Sequence, residues 1–224
     1  MKIAEIFYSL QGEGSLVGVP SVFVRTSGCN LRCSWCDTPY TSWRPEGEEK
    51  TVDQILTRVE LFAAARHVVL TGGEPMIAPE IVALSERLRA IGRHITIETA
   101  GTVFQPVACD LMSISPKLSN STPAGSWGPR HEKSRIQLDV LAQLIAKYEY
   151  QLKFVIAGPD DLEEVWELVD DLNADRARVM LMPEGVARDV LRERALWLAE
   201  IAKQEGVRFS PRLHVELWGD RRGV

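Results

Sequence analysis

Residues 28–37 read Gly28-Cys29-Asn30-Leu31-Arg32-Cys33-Ser34-Trp35-Cys36-Asp37 and hold three of the chain's four cysteines in a C-x3-C-x2-C spacing. A cubane 4Fe–4S cluster has four irons, so three thiolates would leave one iron open. Clusters that only transfer electrons normally have four protein ligands, whereas an open iron can act as a Lewis acid on a substrate or cofactor. The spacing therefore indicates a catalytic cluster.

A structural zinc site or a set of packed thiols is the alternative explanation of these cysteines. Structural zinc takes four closed ligands, commonly from two Cys or His pairs, and no second pair is present. The four histidines, His67, His94, His131 and His214, are scattered singly. The fourth cysteine, Cys109, lies far along the chain and is expected to be a buried strand thiol.

Charge and hydropathy limit the class of protein. The net charge of -5 in 224 residues gives no broad basic surface, so we expect a small-molecule substrate and no direct binding of nucleic acid. No apolar run approaches the roughly 20 residues of a membrane helix, and the N-terminus lacks a signal-peptide core. We therefore expect a cytoplasmic protein without a membrane anchor, in a compartment that keeps thiols reduced.

Short β-rich runs alternate with amphipathic helical patterns along the chain. The strand candidates are 21–25, 67–70, 95–98, 111–114, 152–156 and 179–182, and the helix candidates are 52–59, 81–88, 134–148, 160–172 and 188–205. This alternation predicts an α/β fold with a mostly parallel sheet and too few units for a closed eight-stranded barrel. Residues 115–133 are rich in Pro, Ser and Gly and are predicted to form a loop that could act as a lid.

Two further motifs follow predicted strands, where catalytic residues of parallel sheets gather. In Thr71-Gly72-Gly73-Glu74-Pro75 the glycine pair lets backbone groups approach a ligand, although the motif alone could be an ordinary turn. The hydroxyl and ammonium of Ser115-Pro116-Lys117, with Gln151 and Lys153 on the next strand, could hold the ribose and carboxylate of a nucleotide-like cofactor. Solvated loop residues are the alternative.

Polar residues near the N-terminus indicate a second ligand. The amide and carboxylate in Leu10-Gln11-Gly12-Glu13-Gly14 could pair with the edge of an aminopyrimidinone ring, although alone the segment could be a turn. Arg25 could bind a ligand carboxylate bidentately or form a salt bridge. Glu98 could accept ligand N–H groups or pair at the strand end. Thr38, next to a proline, would by itself be interpreted as a helix cap.

Together these motifs resemble those of the radical S-adenosylmethionine enzymes, and more narrowly those of the 7-carboxy-7-deazaguanine synthase family. Beyond the segments already quoted, the resemblance includes Gly18-Val19-Pro20, Glu98-Thr99-Ala100-Gly101 and the terminal Trp218–Val224. It implies an incomplete (β/α)6 barrel that forms one radical S-adenosylmethionine domain over residues 1–224, with residues 1–20 as a substrate-binding segment.

The resemblance also implies the reaction. In that family a radical reaction contracts 6-carboxy-5,6,7,8-tetrahydropterin to 7-carboxy-7-deazaguanine with loss of ammonia, a carbon–nitrogen lyase step in queuosine and 7-deazapurine biosynthesis. The implied cofactors are a 4Fe–4S cluster, S-adenosylmethionine and Mg2+. A homodimer and a flavodoxin-like electron donor are implied as well.

Functional residues follow from the same resemblance. It assigns the cluster to Cys29, Cys33 and Cys36, and Mg2+ to Thr38. It assigns cofactor binding to Trp35, Cys36, Asp37, Gly73, Glu74, Ser115, Pro116, Lys117, Gln151 and Lys153. It assigns substrate binding to Leu10, Gln11, Gly12, Glu13, Arg25, Thr71 and Glu98.

Two alternative functions stay open at this point. A radical activase that acts on a glycyl-radical protein would keep the cysteine spacing and the Gly-Gly-Glu-Pro motif, although it does not explain the Gln-Gly-Glu-Gly loop followed by Arg25. An interaction module that uses the cysteine loop as a structural clip would bind zinc or a closed cluster instead.

Overall fold

The computed structural model describes residues 1–224, in which nine strands supply the frame. The strands are β1 (Lys2–Leu10), β2 (Pro20–Thr26), β3 (Glu48–Glu49), β4 (His67–Gly72), β5 (His94–Thr99), β6 (Leu111–Ile114), β7 (Tyr150–Ile156), β8 (Val179–Pro183) and β9 (Arg208–Phe209). They form one sheet in the order β3-β1-β2-β4-β5-β6-β7-β8-β9.

Eight α-helices lie between or after these strands. They are α1 (Pro39–Ser42), α2 (Val52–Glu60), α3 (Ile81–Ala90), α4 (Gly128–Arg135), α5 (Leu138–Lys147), α6 (Asp161–Asp171), α7 (Arg188–Glu205) and α8 (Leu213–Trp218). None of them combines the length and apolar character needed to cross a membrane.

All strand pairs from β2 to β9 are parallel, whereas β1 pairs antiparallel with β2, and β3 pairs antiparallel with β1. The short strands β3 and β9 end the sheet, so the barrel does not close. The predicted α/β fold with an open, mostly parallel sheet is thus confirmed. Because the strands are parallel, their carboxyl ends meet at one edge, where loops can assemble a site.

The core lies between the sheet and its helices. The central strands place apolar side chains on the face that meets the helices, where Val68, Leu70, Ile95 and Ile97 are fully buried. The opposite face of these strands carries polar side chains such as Thr96, Gln151 and Lys153. Helix α2 shows how the connecting helices attach to the sheet: a capping box between Thr51 and Gln54 starts it, and its apolar positions recur at helical spacing on one buried face. Each aliphatic side chain buried in this way stabilises the fold by about 1.5–3 kcal/mol.

The structure differs from the predicted elements in several places. The helix predicted over 134–148 is divided into α4 and α5, because Ile136 has extended backbone angles of φ -118° and ψ 122°. Helix α4 begins at Gly128, so the loop predicted over 115–133 is partly helical. Strand β1 was not predicted, because its sequence lacks a clear alternation of apolar and polar residues. Most of its side chains are half-buried.

Candidate active site

The carboxyl ends of the parallel strands open into two adjoining cavities. The thiol cavity is lined by the three cysteines of loop 28–37 together with strand-end residues. The polar cavity is lined by loop 10–13 and by the C-terminal residues 219–224. Seven residues line both cavities and form a common wall: Glu13, Asp37, Thr38, Thr71, Gly72, Glu98 and Arg212.

Loop 28–37 follows β2 and brings its three thiols to one cavity. Burial raises the pKa of the Cys29 thiol to about 12 and that of Cys33 to about 11. The Sγ atom of Cys36 lies 3.2 Å from the hydroxyl of Ser42. Since the thiolate is the metal ligand, binding of a metal would release the protons of these buried thiols.

The spread of the thiols bears on the zinc alternative. No group of three or more His, Cys, Asp or Glu side chains converges closely enough to hold a single metal ion. A zinc site would need its donors within about 2.0–2.3 Å of one ion. Three separated thiols around one cavity fit a multi-iron cluster, in which each thiolate binds a different iron.

Helix α4 and the turn before it hold the cysteine loop on both sides of Cys33. The Nδ1 atom of His131 accepts the backbone N–H of Arg32 at 3.1 Å, and the carbonyl of Ser121 accepts the N–H of Ser34 at 2.8 Å. His131 is buried, and its Nε2 lies 2.9 Å from the hydroxyl of Ser121. Residues nearly a hundred positions away thus fix the loop geometry.

Two tryptophans add to this support. The indole of Trp43 donates to the carbonyl of Cys33 at 3.0 Å, and that of Trp35 donates to the carbonyl of Asn120 at 3.0 Å. Trp35 also lines the thiol cavity, as its predicted role in cofactor binding requires. Both tryptophans therefore tie the loop to its surroundings through the polar ends of their rings.

The glycine pair after β4 packs directly against the base of the cysteine loop. A Cβ on Gly73 would lie 2.2 Å from the carbonyl oxygen of Gly28, which is too close for any side chain. Gly72 has φ +138°, a backbone conformation that L side chains rarely adopt. Only glycine at both positions lets the backbone of β4 reach the thiol cavity, which both residues line.

Glu74 does not line either cavity, and its predicted contact with the cofactor stays a prediction. The side chain is buried, and burial raises its pKa. Its Oε1 accepts from the N–H of Met76 at 3.0 Å and from the hydroxyl of Thr99 at 2.8 Å. Its Oε2 accepts from the N–H of Ala100 at 2.8 Å. The carboxyl group therefore joins the turn after β4 to the end of β5.

Most of the other residues predicted to bind the cofactor line the thiol cavity: Trp35, Cys36, Asp37, Gly73, Ser115, Lys117 and Lys153. The ammonium of Lys117 donates to the carbonyl and hydroxyl of Ser115 at 2.7 and 3.0 Å. Gln151 does not line the cavity, because its Oε1 accepts the N–H of Ser15 at 2.9 Å and its Nε2 donates to Ser113 at 2.8 Å. Pro116 is buried and does not line it either.

All seven residues predicted to bind the substrate line the polar cavity: Leu10, Gln11, Gly12, Glu13, Arg25, Thr71 and Glu98. The amide Nε2 of Gln11 donates to Glu98 at 3.0 Å, and its Oε1 accepts the N–H of Glu13 at 3.1 Å. Loop 10–13 thus meets the end of β5, where an amide and a carboxylate lie side by side.

Arg25 forms the salt bridge that was one of its two predicted roles. Its Nε donates to Glu5 at 2.7 Å across the antiparallel pair of β1 and β2, so the salt bridge is present. Its guanidinium carbon lies 5.6 Å from the centre of the Phe7 ring. Both Nη groups remain without a partner in the chain, beside the polar cavity, and could bind a carboxylate bidentately.

Glu13 lies at the centre of a buried ion network. Its Oε2 pairs with the ammonium of Lys153, and its Oε1 accepts from the Nε of Arg212 at 3.1 Å. Burial alone would raise the pKa of Glu13, but the two cations hold it well below its usual range. Arg212 also binds Asp37. Sequence reasoning missed Arg212, which no local pattern marks.

The C-terminal tail, residues 219–224, closes one side of the polar cavity. Its Arg222 donates to Glu46 at 3.0 Å and lies 4.0 Å from the centre of the Tyr40 ring. His214, just upstream, lines the same cavity, and burial lowers its pKa. One signal in the sequence pointed to this region, because Trp218–Val224 is part of the family resemblance, although no role was assigned to it.

Known proteins identify the family. A model of the Radical SAM superfamily matches residues 23–116. The chain is 46% identical to a 7-carboxy-7-deazaguanine synthase of Halobacterium salinarum, over 98% of this chain and 91% of the relative. It is also 46% identical to that of Rhodopirellula baltica, over 99% and 88%. The chain belongs to the 7-carboxy-7-deazaguanine synthase family. The crystal structure of QueE from Escherichia coli matches with a TM-score of 0.70 and 28% identity, covering 95% of this chain and 94% of that one.

The 7-carboxy-7-deazaguanine synthase family belongs to the radical S-adenosylmethionine enzymes, whose cofactors are a 4Fe–4S cluster and S-adenosylmethionine. The thiol cavity fits both, because the three thiols line it together with the glycine pair, Ser115 and Lys117. The predicted enzyme class and cofactors are therefore confirmed at the level of the family.

Mg2+ is the third cofactor of the 7-carboxy-7-deazaguanine synthases, and Thr38 fits it. Thr38 is the residue before α1, but its side chain makes no capping hydrogen bond. The hydroxyl lies on the common wall of the two cavities, 3.9 Å from the Sγ atom of Cys36. Mg2+ rarely has an all-protein cage and takes ligand oxygens and water, so one hydroxyl at an open wall is a suitable donor.

Proposed function

We propose that this chain catalyses the Mg2+-dependent radical ring contraction of 6-carboxy-5,6,7,8-tetrahydropterin to 7-carboxy-7-deazaguanine, with release of ammonia. The observation that carries the proposal is the common wall of the two cavities. It puts a polar site for a flat heterocycle next to a site for three thiols and a nucleotide-like cofactor. Family membership supports the same reaction.

The pterin is proposed to lie in the polar cavity, with its aminopyrimidinone edge against Gln11 and Glu98. The amide of Gln11 donates one hydrogen bond of 3.0 Å to the carboxylate of Glu98, so the two groups lie side by side. An amide donor and a carboxylate acceptor can therefore face the ligand together. The substrate carboxylate then faces the free Nη groups of Arg25. Thr38 would bring Mg2+ to the oxygens of the same substrate.

S-adenosylmethionine is proposed to bind in the thiol cavity. Backbone groups at Gly72 and Gly73 approach without side-chain obstruction and would bind its amino group. Lys117 and Ser115 would bind its carboxylate and ribose, as charged and hydroxyl groups at strand ends can. When bound, the cluster and S-adenosylmethionine supply a 5'-deoxyadenosyl radical that removes a hydrogen atom from the substrate.

The chain's own contribution is placement and exclusion of water. A radical site must exclude competing reactions, and the protein supplies orientation and shielding while the cofactor supplies the chemistry. The tail 219–224 lines the polar cavity and Trp35 lines the thiol cavity, where they can limit the access of water. The two cavities meet at the seven-residue common wall.

The assembly and partners belong to the same proposal. We propose that the protein is cytoplasmic and forms a homodimer. We also propose that a flavodoxin-like protein reduces the cluster, because the cluster needs one electron at a low potential for each activation.

The test is anaerobic reconstitution with iron and sulfide, followed by incubation with S-adenosylmethionine, Mg2+, reductant and the tetrahydropterin. Mass spectrometry should detect 7-carboxy-7-deazaguanine. Release of 5'-deoxyadenosine and methionine without that product would keep the radical chemistry and refute the substrate. In that case the activase alternative is tested next by binding of the tetrahydropterin without turnover.

A further inference from the structure

We propose that Arg212 is a positioning residue that sets the substrate site against the cofactor site, an inference that rests on the proposed function. Neither the cysteine loop nor the substrate loop contains it. It lies just before α8, 199 residues after Glu13 and 175 residues after Asp37. Its guanidinium group lies in the common wall of the two cavities.

Three nitrogens of Arg212 bind three different segments. Nε donates to Glu13 at 3.1 Å, Nη2 donates to Asp37 at 2.5 Å, and Nη1 donates to the carbonyl of Gly185 at 2.6 Å. Glu13 belongs to the loop proposed to bind the pterin, and Asp37 directly follows the cluster ligand Cys36. Gly185 follows β8. One planar fork thus ties the substrate loop, the cluster loop and the sheet together.

Burial makes the Glu13 part of this tie rigid, whereas the side chain of Asp37 is 45% exposed. The side chain of Arg212 is only 7% exposed and that of Glu13 only 15%, so water screens the ion pair poorly. Glu13 is held from its other oxygen by the ammonium of Lys153, which is 6% exposed. Separation of such a buried pair would leave an uncompensated charge. The loop that carries Glu13 therefore has little freedom to move away from Arg212.

Arginine is required here for its shape as well as its charge. Its guanidinium presents donors in fixed directions, so it can hold two carboxylates and a carbonyl at the same time. A lysine would keep the positive charge, but its ammonium is a compact group on a flexible stem. Arg212→Lys therefore tests geometry with the charge unchanged.

The products of the proposed reaction report how well the substrate site is aligned with the cofactor site. The product and ammonia together contain all the atoms of the substrate, so no net oxidation occurs and the abstracted hydrogen can be returned. Consumption of S-adenosylmethionine is then not required for each product formed. Misalignment of the two sites would release 5'-deoxyadenosine without product, and the ratio of these two compounds reports it.

The experiment compares wild type, Arg212→Lys and the control Arg176→Lys under turnover conditions. Arg176 pairs with Glu205 on the surface, so its replacement also changes an arginine–carboxylate pair. For Arg212→Lys we expect product formation to fall by about tenfold to a hundredfold, as a misplacement of about 1 Å can cause. S-adenosylmethionine cleavage should persist, so that 5'-deoxyadenosine per product rises by a similar factor.

Binding without turnover supplies a second readout. Without reductant, the dissociation constant of the tetrahydropterin, measured by fluorescence quenching of the reconstituted protein, should rise for Arg212→Lys and stay unchanged for Arg176→Lys. An unchanged product ratio and an unchanged dissociation constant in Arg212→Lys, with wild-type iron content, would overturn the inference.

Asp37→Asn and the double variant keep the test decisive. If Arg212 and Asp37 act through one contact, Asp37→Asn raises the same ratio, and the double variant is no worse than Arg212→Lys. If the effects of the two substitutions on this ratio add in the double variant, the two residues do not act through one contact. If Arg212→Lys fails to retain its cluster, an unchanged ratio in Asp37→Asn refutes the inference. Failure of the proposed function is separate, because the wild type would then form no 7-carboxy-7-deazaguanine.

Discussion

The Nδ1 atom of His131 accepts the backbone N–H of Arg32 at 3.1 Å. Since Nδ1 is the acceptor, the proton of the neutral ring lies on Nε2, which donates to the hydroxyl of Ser121 at 2.9 Å. That hydroxyl donates in turn to the carbonyl of Leu118 at 2.6 Å. The ring of His131 and the hydroxyl of Ser121 thus each accept one hydrogen bond and donate another, and the last acceptor of the series is a backbone carbonyl. His131 therefore holds the residue before Cys33 in one position.

Replacement of His131 should affect the cluster according to where the new acceptor lies. An asparagine oxygen is bonded to Cγ, as Nδ1 is, so His131→Asn can still accept the N–H of Arg32. Glutamine extends beyond that position, and an unpaired buried N–H costs about 1–3 kcal/mol. Iron and sulfide per chain after anaerobic reconstitution should be lower in His131→Gln than in His131→Asn.

His67→Asn is the matched control, since His67 lies at the amino end of β4, whereas the cysteine loop lies at the carboxyl ends of the strands. It should retain wild-type iron content. Equal iron in His131→Gln and wild type would show that the loop does not depend on this contact.

Cys33→Ala should abolish cluster binding and turnover together, because the remaining two thiols cannot hold a site-differentiated 4Fe–4S cluster. Cys109→Ala is the comparison, since Cys109 lies outside both cavities, where its thiol donates weakly to the carbonyl of Ile95 at 3.8 Å. Iron analysis and visible absorption measure the effect. Wild-type activity in Cys33→Ala would refute the cluster assignment.

Glu74→Gln should destabilise the fold without weakening cofactor binding directly. The carboxyl accepts three protein hydrogen bonds, and a glutamine NH2 group would face one of those donors. The expected loss is about 1–3 kcal/mol in the free energy of unfolding, measured by denaturant titration of the cluster-free protein. A large rise in the dissociation constant of S-adenosylmethionine at unchanged stability would instead restore the predicted contact.

The stability of the chain should fall in acid partly through Glu13. Lys153 and Arg212 hold the pKa of Glu13 below its usual range despite burial, so its contribution is complete above the unfolded-state pKa of about 4.3. That contribution is lost as pH falls toward the lower folded-state value. The difference in unfolding free energy between wild type and Glu13→Gln should therefore be largest at neutral pH and shrink in acid.

Urea unfolding of the cluster-free protein at several pH values measures this difference. Glu200→Gln serves as the control, because Glu200 pairs with Lys203 on the exposed surface of α7. Its difference from wild type should be small at every pH, as exposed pairs contribute little. A constant difference for Glu13→Gln between neutral and acid pH would contradict the role of the ion network.

The sequence by itself determined what depends on short spacings. Loop 28–37 supplies three thiols within eight residues, and no distant contact is needed to recognise the pattern. Apolar runs bounded by turn residues predicted the central strands, and β6 begins and ends where predicted. Glycine at 72 and 73 marked a close approach of the backbone. The fold class and the substrate loop followed from such local features together with the family resemblance.

Only the tertiary structure decided which polar side chains face the cavities. Glu74 is adjacent to Gly73 and Gln151 is two residues from Lys153, both of which line the thiol cavity, yet nearby N–H and hydroxyl donors bind the side chains of Glu74 and Gln151 instead. Arg212 and His131 carry no local signal, because the loop residues that they hold, Glu13 and Asp37 for Arg212 and Arg32 for His131, lie 99 residues or more away along the chain. The sheet order brings these segments together at one edge, and a buried charge or ring nitrogen then binds whichever partner that packing presents.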